Sequence, residues 1–187
     1  SFVKEKPKIA FAASFGKTEF TDAIVTEYKR FLSEYSSIAV REDAAVNMLK
    51  RWGIQCAGQV LDPTLMLSET EWSQLIKPVE TPKRYILVYQ IHNDKQCTYF
   101  ITDSFHGTAF ALNFNKDFIE ILPNTSTGSR NLSILRLTKL ENRIVSDFKD
   151  FSLANERIDY NRVNSILQEQ RDISLEKLKF ILSTLRS

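Results

Sequence analysis

Short, unbroken apolar runs recur along this chain and alternate with stretches whose apolar residues repeat at helical spacing. That alternation restricts the fold more than any other feature. Residues 8–14 (KIAFAAS), 37–40, 59–61, 85–91 (YILVYQI), 99–103 (YFITD) and 118–122 read as strands. The runs at 85–91 and 99–103 are continuously apolar, as strands buried on both faces of a parallel sheet are, and are expected among its central strands. Between the strands, Ile24, Val25, Tyr28, Phe31 and Leu32 predict a helix over 22–35, and residues 42–52 predict another, closed by Gly53. Ser68 opens a short helix, with Glu71 completing a capping box. Further helices are expected at 107–113 and 129–139. The apolar residues Val163, Ile166 and Leu167, and then Leu175, Leu178, Ile181, Leu182 and Leu185, predict two C-terminal helices with a break, Ser174 capping the second. The Tyr28/Phe31 and Phe110/Phe114 spacings read as core stripes. The fold class is α/β: a mainly parallel sheet flanked by helices.

The 187 residues suffice for one domain, or one and a fraction, with a sizeable core. A net charge of +2, with both signs interspersed, argues against a nucleic-acid binder. The two cysteines, Cys56 and Cys97, form no Cys-x-x-Cys pair and lack the histidine neighbours of a zinc site, so free thiols in a reducing compartment are expected. No apolar run approaches the ~20 residues of a membrane helix, and no signal-peptide pattern opens the chain. Ser1 is not a natural start, so a portion ahead of it is expected to be missing. The five glycines form neither a GxGxxG nor a P-loop, which argues against a standard dinucleotide or nucleoside triphosphate site.

One join resists the pattern. Residues 92–98 (HNDKQCT) separate two buried-type strands, yet parallel neighbours need a crossover of about a dozen residues or more. The same residues lack the Asn-Gly or Gly of a tight hairpin. Either the two strands form a hairpin, or a segment is missing near Gln96 and Cys97; the second is the expectation here.

The sharpest local signal is residues 101–108 (ITDSFHGT), at a strand-to-helix junction. In open α/β sheets ligands bind at the carboxyl ends of strands. Open N–H groups of Gly107 and Thr108 would face an anion there. His106, one of two histidines, falls in the first helical turn, where the dipole disfavours a cation and a neutral imidazole can serve as acid or base. The plainer reading is a histidine bonded to a neighbouring loop.

From about Lys8 to Leu140 the chain resembles the polysaccharide pyruvyl transferases. The resemblance is carried by Ala13-Ser14-Phe15-Gly16, Ala39-Val40-Arg41-Glu42, Leu61-Asp62-Pro63-Thr64-Leu65 with Trp72, and Tyr85-Ile86-Leu87-Val88-Tyr89. It continues through the 102–107 motif, Phe118, and Gly128-Ser129-Arg130 with Leu132, Leu135, Leu140 and Arg143. The order and spacing of these pieces are more specific than any one of them. Many members carry Arg where this chain has Ser104. The resemblance implies that this chain is the C-terminal portion of such an enzyme, one Rossmann-like half of a glycosyltransferase-B-like pair. Residues 1–158 would be the donor-binding domain, with the C-terminal helices of 159–187 packed on it. An N-terminal acceptor domain, and further structure between the matches to Tyr89 and Thr102, would be absent.

It further implies phosphoenolpyruvate as donor and a sugar diol, free or in a lipid-linked oligosaccharide, as acceptor. The product would be a cyclic pyruvate ketal in a surface polysaccharide. No metal or organic cofactor would be needed, and the enzyme would be cytoplasmic, with peripheral membrane association as an option. The catalytic acid/base would be His106. Arg41 would bind the donor bidentately or pair with Glu42 or Asp43. Arg130 would bind substrate or lie on the surface. Ser104 would donate to the phosphate or cap the helix; Gly107 and Thr108 would complete the substrate site. Asp62 would fix a turn, Asp103 would cap the helix rather than orient His106, and His92 would be a strand-end surface residue. Two other readings compete: a nucleotide-sugar glycosyltransferase on the same scaffold, and a non-catalytic carbohydrate-binding homologue, which Ser104 favours.

Overall fold

A computed structural model describes residues 5–75, 77, 100–122, 128–145 and 152–185. The expected strand at 85–91, the join at Gln96 and Cys97, and His92 lie outside the described residues.

The first sheet contains β1 (Ile9–Ala13), β2 (Ser37–Val40) and β3 (Gly58–Gln59), parallel and in that order, with Ile9 opposite Ser37 and Ala39 opposite Gly58. Two crossover helices, α1 (Asp22–Leu32) and α2 (Asp43–Arg51), join them. Alternation along β2 sorts its side chains between two layers. Ile38 and Val40 pack with Ala45 and Leu49 of α2, while Ala39 packs with Ala12, Val60 and Ile181 of the last helix. The small residues on that second face let a helix lie close. Gly53, at φ +74°, turns the chain after α2 as the sequence implies.

Two short helices follow, α3 (Pro63–Met66) and α4 (Glu69–Leu75). The capping box is present: Glu71 N–H donates to Ser68 Oγ at 3.3 Å, and Ser68 N–H donates to Glu71 Oε2 at 2.7 Å. A second parallel pair, β4 (Ile101–Thr102) and β5 (Ile119–Glu120), is linked through α5 (Phe105–Asn113). Then come α6 (Ser129–Thr138) and α7 (Tyr160–Ser183). The largest core cluster joins Leu61 and Leu65 to Phe105 and Leu112 of α5, Leu135 of α6, and Val163 and Leu167 of α7. Among the described residues the architecture is therefore α/β, with small parallel sheets flanked by helices.

Three expectations are corrected. The C-terminal stretch is one helix: α7 runs unbroken for 24 residues, roughly 36 Å. No Pro or Gly interrupts it, and Ser174 is buried inside it rather than capping a second helix. Its Oγ accepts from Leu61 N–H at 2.9 Å, satisfying a backbone donor just beyond β3. The two aromatic spacings are not core stripes, since Phe31 is 38% and Phe110 36% exposed. Tyr28 instead stacks on Trp52 in a half-buried cluster with Phe15 and Phe20, and Phe110 meets Trp72 edge-on. Finally, α5 begins at Phe105, two residues before the expected start.

Candidate functional site

Arg41, Ser104 and His106 lie where β2 and β4 end, and Arg130 lies at the start of α6, which packs there through Asn131. Arg41 directly follows β2, and its side chain is 14% exposed. Nη1 pairs with Asp62 Oδ2, and Nε lies 3.5 Å from Glu42 Oε1. Asp43 pairs with Arg136 instead, at 3.6 Å. The Arg41 guanidinium lies over the Phe105 ring, 4.9 Å from its centroid. That ring in turn meets the His106 imidazole edge-on, with centroids 5.5 Å apart. Arg41 and His106 thus share Phe105 as a common neighbour, and His106 is exposed at the first turn of α5.

Both acids beside Arg41 are buried, at 3% exposure each. Glu42 also accepts from the Ser14 hydroxyl. Asp62 is the N-cap of α3, accepting from Thr64 N–H at 2.9 Å and Thr64 Oγ1 at 2.7 Å. Burial pushes its carboxyl up, but the Thr64 bonds and then the Arg41 pair outweigh burial and hold it below the usual aspartate value. The turn expected at Asp62-Pro63 is there, and it also anchors Arg41.

Ser104, 2% exposed, is the N-cap of α5. Gly107 N–H donates to its Oγ at 3.4 Å, and Thr108 N–H donates to its backbone oxygen at 3.0 Å. The N–H groups expected to be open to an anion are therefore engaged within the cap, and Gly107 and Thr108 are buried. Asp103 does not cap this helix; its backbone oxygen accepts from Asn131 Nδ2 at 3.2 Å.

Asn131 brings the start of α6 against the start of α5. Its Nδ2 also donates to Glu120 Oε1, and Glu120 is fully buried. Arg130 precedes Asn131; its Nε is buried and has no hydrogen-bond partner among the described residues. Ser133, one helical turn on, accepts from Asp43 N–H and Gln59 Nε2, both at 3.1 Å, and Gln59 also donates to the Arg41 backbone oxygen at 3.2 Å. Helix α6 thereby braces both strand ends. Sequence reasoning missed Phe105, Glu120, Asn131 and Ser133, whereas Glu42 is one of the two acids it offers as a partner for Arg41 and does pair with it. Only Glu120 carried a usable signal, as a lone charge inside the apolar run 118–122. Among the described residues no cluster of His, Cys, Asp and Glu could hold a metal ion, and no helix is long and apolar enough to cross a membrane.

Parallel strands that run into helix N-termini, with Arg41 and His106 at those ends, give the architecture of the α/β class in which ligands bind at strand ends. The chain belongs to the polysaccharide pyruvyl transferase family, whose model matches residues 1–126. Membership indicates, at the level of the family, a transferase of the pyruvyl type in polysaccharide biosynthesis. The matched residues include Arg41 and the whole 101–108 segment, while Arg130 lies beyond them. No curated protein and no solved structure is significantly similar to the chain.

Proposed function

We propose that the protein transfers the enolpyruvyl group of phosphoenolpyruvate to a sugar diol, closing a pyruvate ketal. The observation that carries this reading is the contact chain Arg41–Phe105–His106 at the strand ends of a family member. In this reading an acid protonates the donor methylene, making a methyl group and an electron-poor C2. One sugar hydroxyl attacks C2, the C–O bond to phosphate breaks, and the second hydroxyl closes the ring. Of the two hydroxyl protons released, one replaces the proton given to the methylene and the other leaves with phosphate.

His106 is the acid/base for these transfers, a role that its exposure at the first turn of α5 supports. Arg130 and Arg41 supply the cations for the phosphate and carboxylate. Nη2 of Arg41 has no hydrogen bond among the described residues, and neither does Nε of Arg130. Ser104, Gly107 and Thr108 act by building the helix start that presents His106. The same reading makes residues 1–158 the donor-binding domain and puts the reaction in the cytoplasm, on a free or lipid-linked sugar.

The test is turnover followed by phosphorus NMR with phosphoenolpyruvate and a sugar diol. His106→Ala should lower kcat by ~10²–10⁴. Because the side chain is exposed, stability should move by less than about 0.5 kcal/mol. Unimpaired transfer by the variant would rule out the acid/base role; no transfer by the unaltered protein would rule out the donor and reaction.

A further inference from the structure

The hydrogens around Glu120 can be counted one by one. Glu120 Oε2 lies 2.5 Å from Thr108 Oγ1, and Thr108 Oγ1 lies 3.1 Å from the backbone oxygen of Ser104. A threonine hydroxyl has one hydrogen. Were the carboxyl ionised, that hydrogen would be drawn to Glu120 and lost to Ser104. A buried negative charge would also stand near Asp103 with no cation paired to it among the described residues. With the proton on Oε2, Glu120 donates to Thr108, and Thr108 donates to Ser104. The two hydrogens of Asn131 Nδ2 then serve Glu120 Oε1 and the Asp103 backbone oxygen. Every donor of Thr108, Asn131 and the Glu120 acid is used, and Glu120 adds no buried charge beside Asp103.

The surroundings agree with this count. Glu120 is faced by Thr108 from α5, Asn131 from α6 and Asp103 from the end of β4, with the backbone of Ile144 and Val145 beside its own. Asp103 is the charged group among these. Burial is the larger influence, and with the Asp103 charge it outweighs the two hydrogen bonds, pushing the carboxyl up to about 7.

We propose that Glu120 is a positioning residue which, as the neutral acid, ties the start of α5, which carries His106, to the start of α6, which carries Arg130. Its consequence for catalysis rests on the pyruvyl-transfer reading; the tie itself does not. Glutamine is the natural mimic of the neutral acid, because its amide nitrogen can donate to Thr108 while its oxygen accepts from Asn131.

The first readout is the carboxyl carbon-13 resonance of Glu120, assigned by its loss in Glu120→Gln. A titration midpoint above about 6 supports the proposal, and any lower midpoint, toward the ordinary glutamate value of about 4.3, overturns it. The second is kcat for phosphoenolpyruvate and a sugar diol. Glu120→Gln should keep kcat within about threefold, because it satisfies the same partners. Glu120→Leu should lose about tenfold or more, with a smaller change in KM, because the acid and cation are displaced. Equal effects of Gln and Leu overturn the positioning role. If the unaltered protein transfers no pyruvyl group, the functional reading fails but the tie is still decided. The amides of residues 105–108 and 129–131 should then exchange faster in Glu120→Leu than in Glu120→Gln, and equal rates overturn it. Should the Leu variant not fold, Thr108→Val, which breaks the same relay, takes its place in both comparisons.

Discussion

The guanidinium of Arg41 rests 4.9 Å from the centre of the Phe105 ring, joining the end of β2 to the start of α5. The contact is nearly dry: Phe105 is 7% exposed and the Arg41 side chain 14%. Cation–π attraction grows as water is removed, from about 0.5–1 kcal/mol at exposed sites to about 2 kcal/mol. A double-mutant cycle with Arg41→Met and Phe105→Leu should therefore show a coupling of about 1–2 kcal/mol in denaturant unfolding. Phe105→Ala should cost more, about 3–5 kcal/mol, because it also opens a cavity in the main core cluster. A coupling near zero would mean that the stacking holds nothing.

Asp62 holds Arg41 from the other side, and its carboxyl sits below the usual aspartate value of 3.8. A group whose pKa falls on folding stabilises the native state above its unfolded value, and that stability is lost as pH drops through the folded value. Asp62→Asn removes this dependence. The stability gap between the natural protein and the variant should be constant near neutrality and narrow as pH falls below about 3.8. At neutral pH, replacing this charged acceptor should cost about 1.5–3 kcal/mol. A gap that widens on acidification would show that the sign is wrong.

How much of this was legible in the sequence depended on how far apart the partners lie. The strand at 37–40, the turn at Gly53 and the Ser68–Glu71 box are set by residues within a few positions of one another, and all three form as read. Ser174 was misread because its partner is Leu61, far away in sequence. A serine between two apolar helical stretches looks like a cap until a strand-end N–H is found to need an acceptor. The 101–108 segment was located correctly as a strand-to-helix junction. Its two backbone donors are not open, because the Ser104 hydroxyl takes Gly107 N–H and the Ser104 backbone oxygen takes Thr108 N–H as an ordinary helical bond. For Arg41 the sequence leaves ligand and ion pair both open, and Asp62, which engages it across 21 positions, carries only a turn signal. Glu120 is visible locally only as a lone charge in an apolar run; that Thr108 and Asn131 meet its carboxyl depends on elements distant in sequence.

The buried serine of α7 can be checked directly. At an N-cap, Asn is as good as Ser. Inside a buried helix face, Asn adds volume where Ser174 is fully buried, and overpacking costs about 1–3 kcal/mol. Ser174→Asn should therefore destabilise by that amount in urea unfolding. Ser174→Ala should cost about 1–2 kcal/mol through the orphaned Leu61 N–H, which is only partly offset by the better helix propensity of alanine. A neutral Asn variant would show that the space around Ser174 accepts the larger side chain.

Arg130 offers the sharpest separation of donors. Its Nε is buried with no acceptor among the described residues, a cost that an anionic ligand would relieve. Phosphoenolpyruvate carries both a carboxylate and a phosphate that could take this donor. A ligand at a hundred times its Kd stabilises the native state by about 2.7 kcal/mol, and for a chain of this size each kcal/mol raises Tm by about 2–4 °C. Phosphoenolpyruvate should therefore raise Tm by roughly 5–10 °C, and UDP and CMP should leave it unchanged. Arg130→Met should shrink the phosphoenolpyruvate shift while holding or raising the Tm of the free protein, because it removes an unsatisfied donor and keeps the apolar stem. Stabilisation by UDP or CMP in place of phosphoenolpyruvate would transfer the site to a nucleotide-sugar donor. A full phosphoenolpyruvate shift in Arg130→Met would remove Arg130 from the site and leave Arg41 as its cation.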